Sequence, residues 1–268
     1  ERTILLFFHG LGDTAAGWGD LVPHFAQACP AIDKIIVPTA PTVAVTVNGG
    51  AQCTAWFDIV ISSFSPMELL AAVNKRPPYI DNSMVDVLYV LNKELEAACA
   101  ASATRLNVIV GGFSQGAHMA FMVGAQLEAI AAKSLAGGGP VVACTGIVML
   151  SGVIFGLDDL RRGIAAATPA AVPILQCHGT ADPVIPLLGA QMTSAALRKM
   201  GWAGYEFKEF AGMAHSSCPE EIQLVVDFLK RASAPASAPA PAPPAGDRSE
   251  AYLRIPHNDK SYPPGQEV

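Results

Sequence analysis

An apolar, β-branched run, Asn107-Val108-Ile109-Val110, passes through Gly111-Gly112-Phe113-Ser114-Gln115-Gly116 directly into a long helical pattern. No other segment limits the possible folds as sharply. A serine on a tight strand-to-helix turn must take a strained backbone conformation, and glycines two before and two after it let neighbouring elements approach closely. Such a turn lifts the hydroxyl above a sheet and sets it at the positive end of the following helix, where an oxyanion is favoured. The pentapeptide Gly112–Gly116 alone occurs by chance in many chains. The strand before it and the helix after it make Ser114 a candidate nucleophile.

The rest of the chain repeats that alternation. Strands are expected at Thr3–Phe8, Lys34–Val37, Asn107–Val110, Gly146–Leu150, Pro173–Cys177 and Tyr205–Phe210. Helices are expected at Ser83–Ala101, Gln115–Ala132, Ala190–Met200 and Pro219–Arg231, the first with Val85, Leu88, Leu91 and Leu95 as plain core. Short apolar strands between longer amphipathic segments predict an α/β domain, a mostly parallel sheet flanked by helices. At 268 residues the chain accommodates one large domain and an appendage. The expected catalytic domain is 1–231, followed by an Ala/Pro/Ser linker at 232–246 and a polar, disordered tail at 247–268.

Charge and cysteine usage narrow the function. A formal net charge of -6 with no basic block gives no reason to expect a nucleic-acid partner. Cys29, Cys53, Cys99, Cys144, Cys177 and Cys218 show no metal-ligand spacing, and free thiols in a reducing compartment are the expectation. The uncharged stretch from Ser134 to Leu157 is long enough to span a bilayer, but Gly137–Pro140, Gly146, Gly152 and Gly156 break it. It reads as loop, central parallel strand and loop. The sequence opens at Glu1 on an apolar strand, with no secretory signal pattern visible.

A serine hydroxyl is a poor nucleophile until a base accepts its proton. In a strand–elbow–helix fold of this kind the partners follow in the order Ser, acid, His. Asp182 lies just beyond the strand Ile174–Cys177, and Pro183 holds it extended. His215 follows the strand Tyr205–Phe210, in a loop ahead of the last helix. Asp158 and Asp159 compete for the acid role and are otherwise explained as helix N-terminal charge. His118 lies on the helix behind Ser114, His24 and His257 lack strand-end context, and His9 and His178 suit local turn bonding. An oxyanion needs two donors aimed at one point. The N–H of Gln115 is one candidate. Leu11, in the glycine-bearing loop His9–Asp13, supplies the other, unless that loop is only a tight connection.

With these parts in order, the chain resembles the acyl-protein thioesterase, lysophospholipase and carboxylesterase family of the α/β-hydrolase fold. The resemblance spans about Arg2 to Lys230. It rests on Phe8–Thr14 with Trp18, Trp56-Phe57-Asp58, Gly111–Gly116, Ile174–Gly179, Asp182–Leu187 and Gly212–Cys218. It implies a cytoplasmic serine hydrolase without a large lid domain, metal or cofactor. The implied substrates are S-acylated proteins or lysophospholipids, met through peripheral membrane contact. It also implies Ser114, Asp182 and His215 as triad, with Leu11 and Gln115 as oxyanion donors. Three departures stand out: an Ala/Gly-rich insertion within Glu128–Thr145, Ser151–Gly156 where the family has a Trp-Leu-Pro-like run, and the Pro-rich tail.

An acyl chain needs an apolar groove. Trp56, Phe57, Phe64–Leu70, Ile154 and Phe155 are the candidates, each also explicable as core. Two other functions share the sequence: a general carboxylesterase on small esters, and a non-catalytic module binding acyl groups or partners. The second has no need of all three triad residues.

Overall fold

A computed structural model describes residues 1–63, 65–134, 140–157 and 172–234. Among them, eight strands and six α-helices follow one another. These are β1 (Arg2–Phe8), α1 (Leu21–Ala28), β2 (Lys34–Ile36), β3 (Thr42–Val45), β4 (Ala51–Thr54), α2 (Pro66–Ala72) and α3 (Ile80–Ala100). Then come β5 (Arg105–Phe113), α4 (Gln115–Ser134), β6 (Val141–Leu150), β7 (Ile174–Gly179), α5 (Leu187–Lys199), β8 (Tyr205–Phe210) and α6 (Pro219–Ala232).

Six strands form one sheet in the order β2-β1-β5-β6-β7-β8, and every pairing is parallel. A parallel sheet covered on both faces needs strands apolar on both faces, which is how β1, β5 and β7 read in the sequence. Ile4, Leu6 and Phe8 point into the layer with α3, α4 and α5, while Leu5 and Phe7 point toward α1 and α6. The edge strand β8 carries Glu206, Lys208 and Glu209, charges that discourage a further strand. This is the α/β-hydrolase architecture, with no large lid seen among the described residues.

All six expected strands and four expected helices are present, several with longer ends. β6 starts at Val141, so part of the stretch read as loop is strand, and β6 lies between β5 and β7 as a central strand. No described helix is long and apolar enough to cross a membrane. Ala232, assigned by composition to the linker, is the last residue of α6 and packs against the sheet, because its methyl faces Gly146. The remaining linker from residue 235, the tail, and Asp158 and Asp159 lie outside the described residues.

The antiparallel hairpin β3–β4 was not anticipated, and it bears on the site. Gly12 N–H donates to the Thr54 carbonyl (2.8 Å), and Thr54 Oγ1 donates to the Asp13 carbonyl (2.6 Å). Asp58 anchors the hairpin's far end, its carboxylate accepting from Thr46 N–H and Oγ1 at 2.7 Å each.

Candidate active site

Ser114 sits between β5 and α4 with φ +56°, a left-handed conformation for a non-glycine residue. Its N–H donates to the Leu150 carbonyl of β6 (2.8 Å), which fixes the turn against the neighbouring strand. The flanking glycines are steric requirements. A Cβ on Gly112 would collide with the Gly116 carbonyl, and one on Gly116 would collide with that of Phe8. The elbow therefore closes only where α4 lies within backbone contact of β1.

The loops after β7 and β8 carry Asp182 and His215 to the same end of the sheet. His215 Nε2 lies 3.0 Å from Ser114 Oγ, and Nδ1 lies 2.7 Å from Asp182 Oδ2. The other carboxylate oxygen, Oδ1, accepts from the N–H groups of Val184 and Ile185, both at 2.8 Å. Burial alone raises the Asp182 pKa, but the His215 hydrogen bond, the two backbone N–H groups and the imidazole charge outweigh it and hold the carboxyl below its ordinary range. An ionised carboxylate only accepts, so His215 Nδ1 carries the proton and Nε2 presents a lone pair to the Ser114 hydroxyl. The Asp182 side chain is fully buried, whereas that of His215 keeps 15% exposure. The Phe113 ring lies 4.9 Å from the imidazole, tilted by 50°.

The other described histidines are accounted for. His9 Nε2 accepts from Ala40 N–H (3.0 Å), so its Nδ1 donates to the Gly10 carbonyl (2.7 Å). His178 Nε2 donates to the Ile185 carbonyl (2.9 Å) and shapes the Asp182 loop. Burial, then the nearby Arg76 charge, depresses His118 to about 3. Its Nδ1 accepts from Phe155 N–H at 3.2 Å. His24 lies on α1, away from the site, and His257 is outside the described residues.

Ser114 and His215 open onto a cavity of about 370 Å³. Gly10, Leu11, Asp13, Phe113 and Gln115 line it. The apolar residues Ile59, Val153, Phe155, Val184 and Ile185 line it too, with Asn48. Leu11 and Gln115, the two residues expected to supply oxyanion donors, thus both border the cavity with Ser114. As the first residue of α4, Gln115 has an N–H with no intrahelical acceptor.

Of Trp56, Phe57, Ile154 and Phe155, only Phe155 is among the residues lining the cavity. Trp56 and Phe57 are core instead, because their backbone is tied to the Gln115 side chain and the Trp56 indole turns to the His9 carbonyl. Ile154 is pinned through its N–H to Thr193 Oγ1 (3.1 Å) and points into the α4–α5 layer. Within Phe64–Leu70, Leu69 is core, Met67 is exposed, and Phe64 lies outside the described residues. Sequence reading missed Ile59, Val153, Val184 and Ile185. The last two directly follow Asp182-Pro183, and apolar residues beside a site carboxylate were the available signal. No group of three His, Cys, Asp or Glu side chains among the described residues could hold a metal ion.

Hydroxyl, imidazole and buried carboxylate thus meet in one line over the end of a doubly wound parallel sheet, and the class this defines is the serine-dependent α/β hydrolases. The sequence narrows it further. The family profile described as phospholipase/carboxylesterase matches residues 1–233, and the chain belongs to that family. It is 33% identical over 236 residues to acyl-protein thioesterase 1 of Saccharomyces cerevisiae, covering 86% of this chain and 92% of that protein. The Neurospora crassa protein of the same name is 30% identical, with 84% of each covered. Among solved structures, Zea mays acyl-protein thioesterase 2 superposes with a TM-score of 0.65 at 26% identity, covering 87% of this chain and 95% of that one.

Proposed function

We propose that this enzyme hydrolyses fatty acyl thioesters, S-acylated proteins foremost and lysophospholipid acyl esters second, through an acyl enzyme on Ser114. The observation that carries the reading is the Ser114–His215–Asp182 hydrogen-bond line opening on a cavity that five apolar side chains help to line. The relatives named acyl-protein thioesterase support the thioester as the bond attacked.

The proposed steps are built on that hydrogen-bond line. Ser114 Oγ attacks the acyl carbonyl carbon while His215 Nε2 takes its proton, and Asp182 stabilises the imidazolium. The N–H groups of Leu11 and Gln115 receive the negative charge on the carbonyl oxygen. As the carbon–sulfur bond breaks, His215 returns the proton to the departing thiolate. Water, deprotonated by the same nitrogen, then hydrolyses the acyl-serine and releases the fatty acid. The acyl chain lies along Ile59, Val153, Phe155 and Ile185.

The test is a ladder of acyl thioesters and oxygen esters, short to long, with wild type and Ser114→Ala. Ser114-dependent turnover rising toward long acyl thioesters is expected. Turnover confined to short oxygen esters would assign a small-ester carboxylesterase instead. No turnover together with no labelling by a serine-reactive phosphonate would leave a binding module.

A further inference from the structure

We infer that Trp56 and the side chain of Gln115 form a brace that sets the separation of the two oxyanion donors, the N–H groups of Leu11 and Gln115. The inference rests on the hydrolase reading above and assigns two positioning residues to it. The donors come from different elements: Leu11 from the loop after β1, Gln115 from the start of α4. Their separation controls the rate, since a displacement of about 1 Å at a reacting centre costs about 100-fold. Something must hold the β1 loop against the elbow, and the segment before Asp58 does so by bonding to both.

On the loop side, Trp56 Nε1 donates to the His9 carbonyl at 2.9 Å, two residues before Leu11. On the elbow side, Trp56 N–H donates to Gln115 Oε1 and Gln115 Nε2 donates to the Phe57 carbonyl, both at 2.8 Å. The amide thus pairs with one N–H and one carbonyl, as a strand partner would, and this fixes which end is oxygen. The brace is anchored behind: Ser83 Oγ donates to the Trp56 carbonyl, and the Trp56 ring meets Phe8 edge-on with centroids 5.2 Å apart. Trp56 is 2% exposed and Gln115 4%, so water does not compete for these bonds. Gln115 therefore acts twice, its backbone as a donor and its side chain as the tie that places the other donor. Trp56 is the matching tie on the loop. Both side chains spend their polar atoms on backbone groups.

The variants are Trp56→Phe, which keeps an aromatic ring in the core and deletes the indole donor, and Gln115→Met, which keeps side-chain length and deletes both amide bonds. Each is assayed on the ester ladder's best substrate for kcat and KM. Each is also titrated with an acyl trifluoromethyl ketone, whose adduct on Ser114 carries the oxyanion, and with the product fatty acid. Expected is a fall in kcat of about 10–100-fold, below the full loss of a donor. The ketone affinity should fall in proportion, while KM and fatty-acid affinity change less than about threefold. A merely structural role would lower the melting temperature without splitting ketone from fatty-acid binding. Should Trp56→Phe not fold, Gln115→Met carries the same comparison. Folded variants with kcat and ketone affinity within about threefold of wild type overturn the brace. A wild type that turns over no ester and takes no phosphonate overturns the hydrolase reading, and the brace with it.

Discussion

Replacing Asp182 by Asn tests whether this carboxylate, and no other, orients the base. The substitution is nearly isosteric, and the geometry says what changes. The Asn oxygen inherits the Oδ1 position and keeps the Val184 and Ile185 N–H bonds, so the loop stays in place. The amide nitrogen then takes the Oδ2 position, 2.7 Å from His215 Nδ1, and donates to it. The imidazole is forced into the other tautomer, with Nε2 protonated and facing the Ser114 hydroxyl as a donor. It cannot accept the serine proton. In a triad of this build the inversion costs about 10⁴-fold in kcat, equivalent to about 5.4 kcal/mol of transition-state stabilisation. The fold loses one charge-assisted hydrogen bond, about 1.5–3 kcal/mol, or about 3–12 °C in melting temperature for a domain this size. The assay is kcat with the best ester, beside the phosphonate labelling rate, which should drop in parallel. A loss of less than about tenfold in a folded variant would refute the assignment and return the role to Asp158 or Asp159.

Gly116→Ala should destabilise by more than about 2 kcal/mol in urea unfolding, because the new methyl meets the Phe8 carbonyl and not a yielding side chain. Phe155→Ala removes the ring between the catalytic cavity and a small void lined by His118, Met122 and Ile80, so the ratio of long-chain to short-chain kcat/KM should rise about tenfold or more. An unchanged chain-length profile would place the acyl chain elsewhere. Burial pushes Glu221 up to about 7, so its contribution to stability is full at low pH and is lost as pH rises from its unfolded value of 4.5 through 7. Glu221→Gln should therefore gain up to about 3 kcal/mol over wild type at pH 8 and little at pH 4.5, read from denaturant midpoints. His118 runs the opposite way: with its folded value near 3, stability is full above 6.5 and falls as pH drops below it. Stability should thus decline below pH 6 more steeply in Glu221→Gln than in the native chain; equal slopes would count against the Glu221 assignment, and a flat profile in the variant against that of His118.

Some of this was legible before any coordinates, for physical reasons. Strands buried on both faces, β1, β5 and β7, leave continuous apolar runs, and the elbow leaves glycines at fixed offsets. The loops bearing Asp182 and His215 were placed because a strand end locates a loop tip. The hairpin β3–β4 escaped because Thr42–Val45 and Ala51–Thr54 are short and bury little, so periodicity has little to act on. Trp56 and Phe57 were assigned to the groove because an aromatic pair near a site looks the same whether it lines the cavity or backs it. Which side it takes was decided by the Gln115 amide, a contact 59 residues away along the chain. For Ile154 the deciding partner, Thr193, is 39 residues away in sequence.

The distances along the chain between the reacting groups have a consequence for how the enzyme comes into being. Ser114 and His215 are 101 residues apart, and His215 and Asp182 are 33 apart. β5 meets β7 only through β6, which lies between them, and β8 pairs on the far side of β7. Long loops must close before those contacts form, so the right half of the sheet is the slow part of assembly. No fragment ending before β8 holds a base, and a ribosome-bound chain stays inert until its last strand is in place. Regain of esterase turnover during refolding is therefore a reporter of complete sheet closure, trailing the return of helical signal.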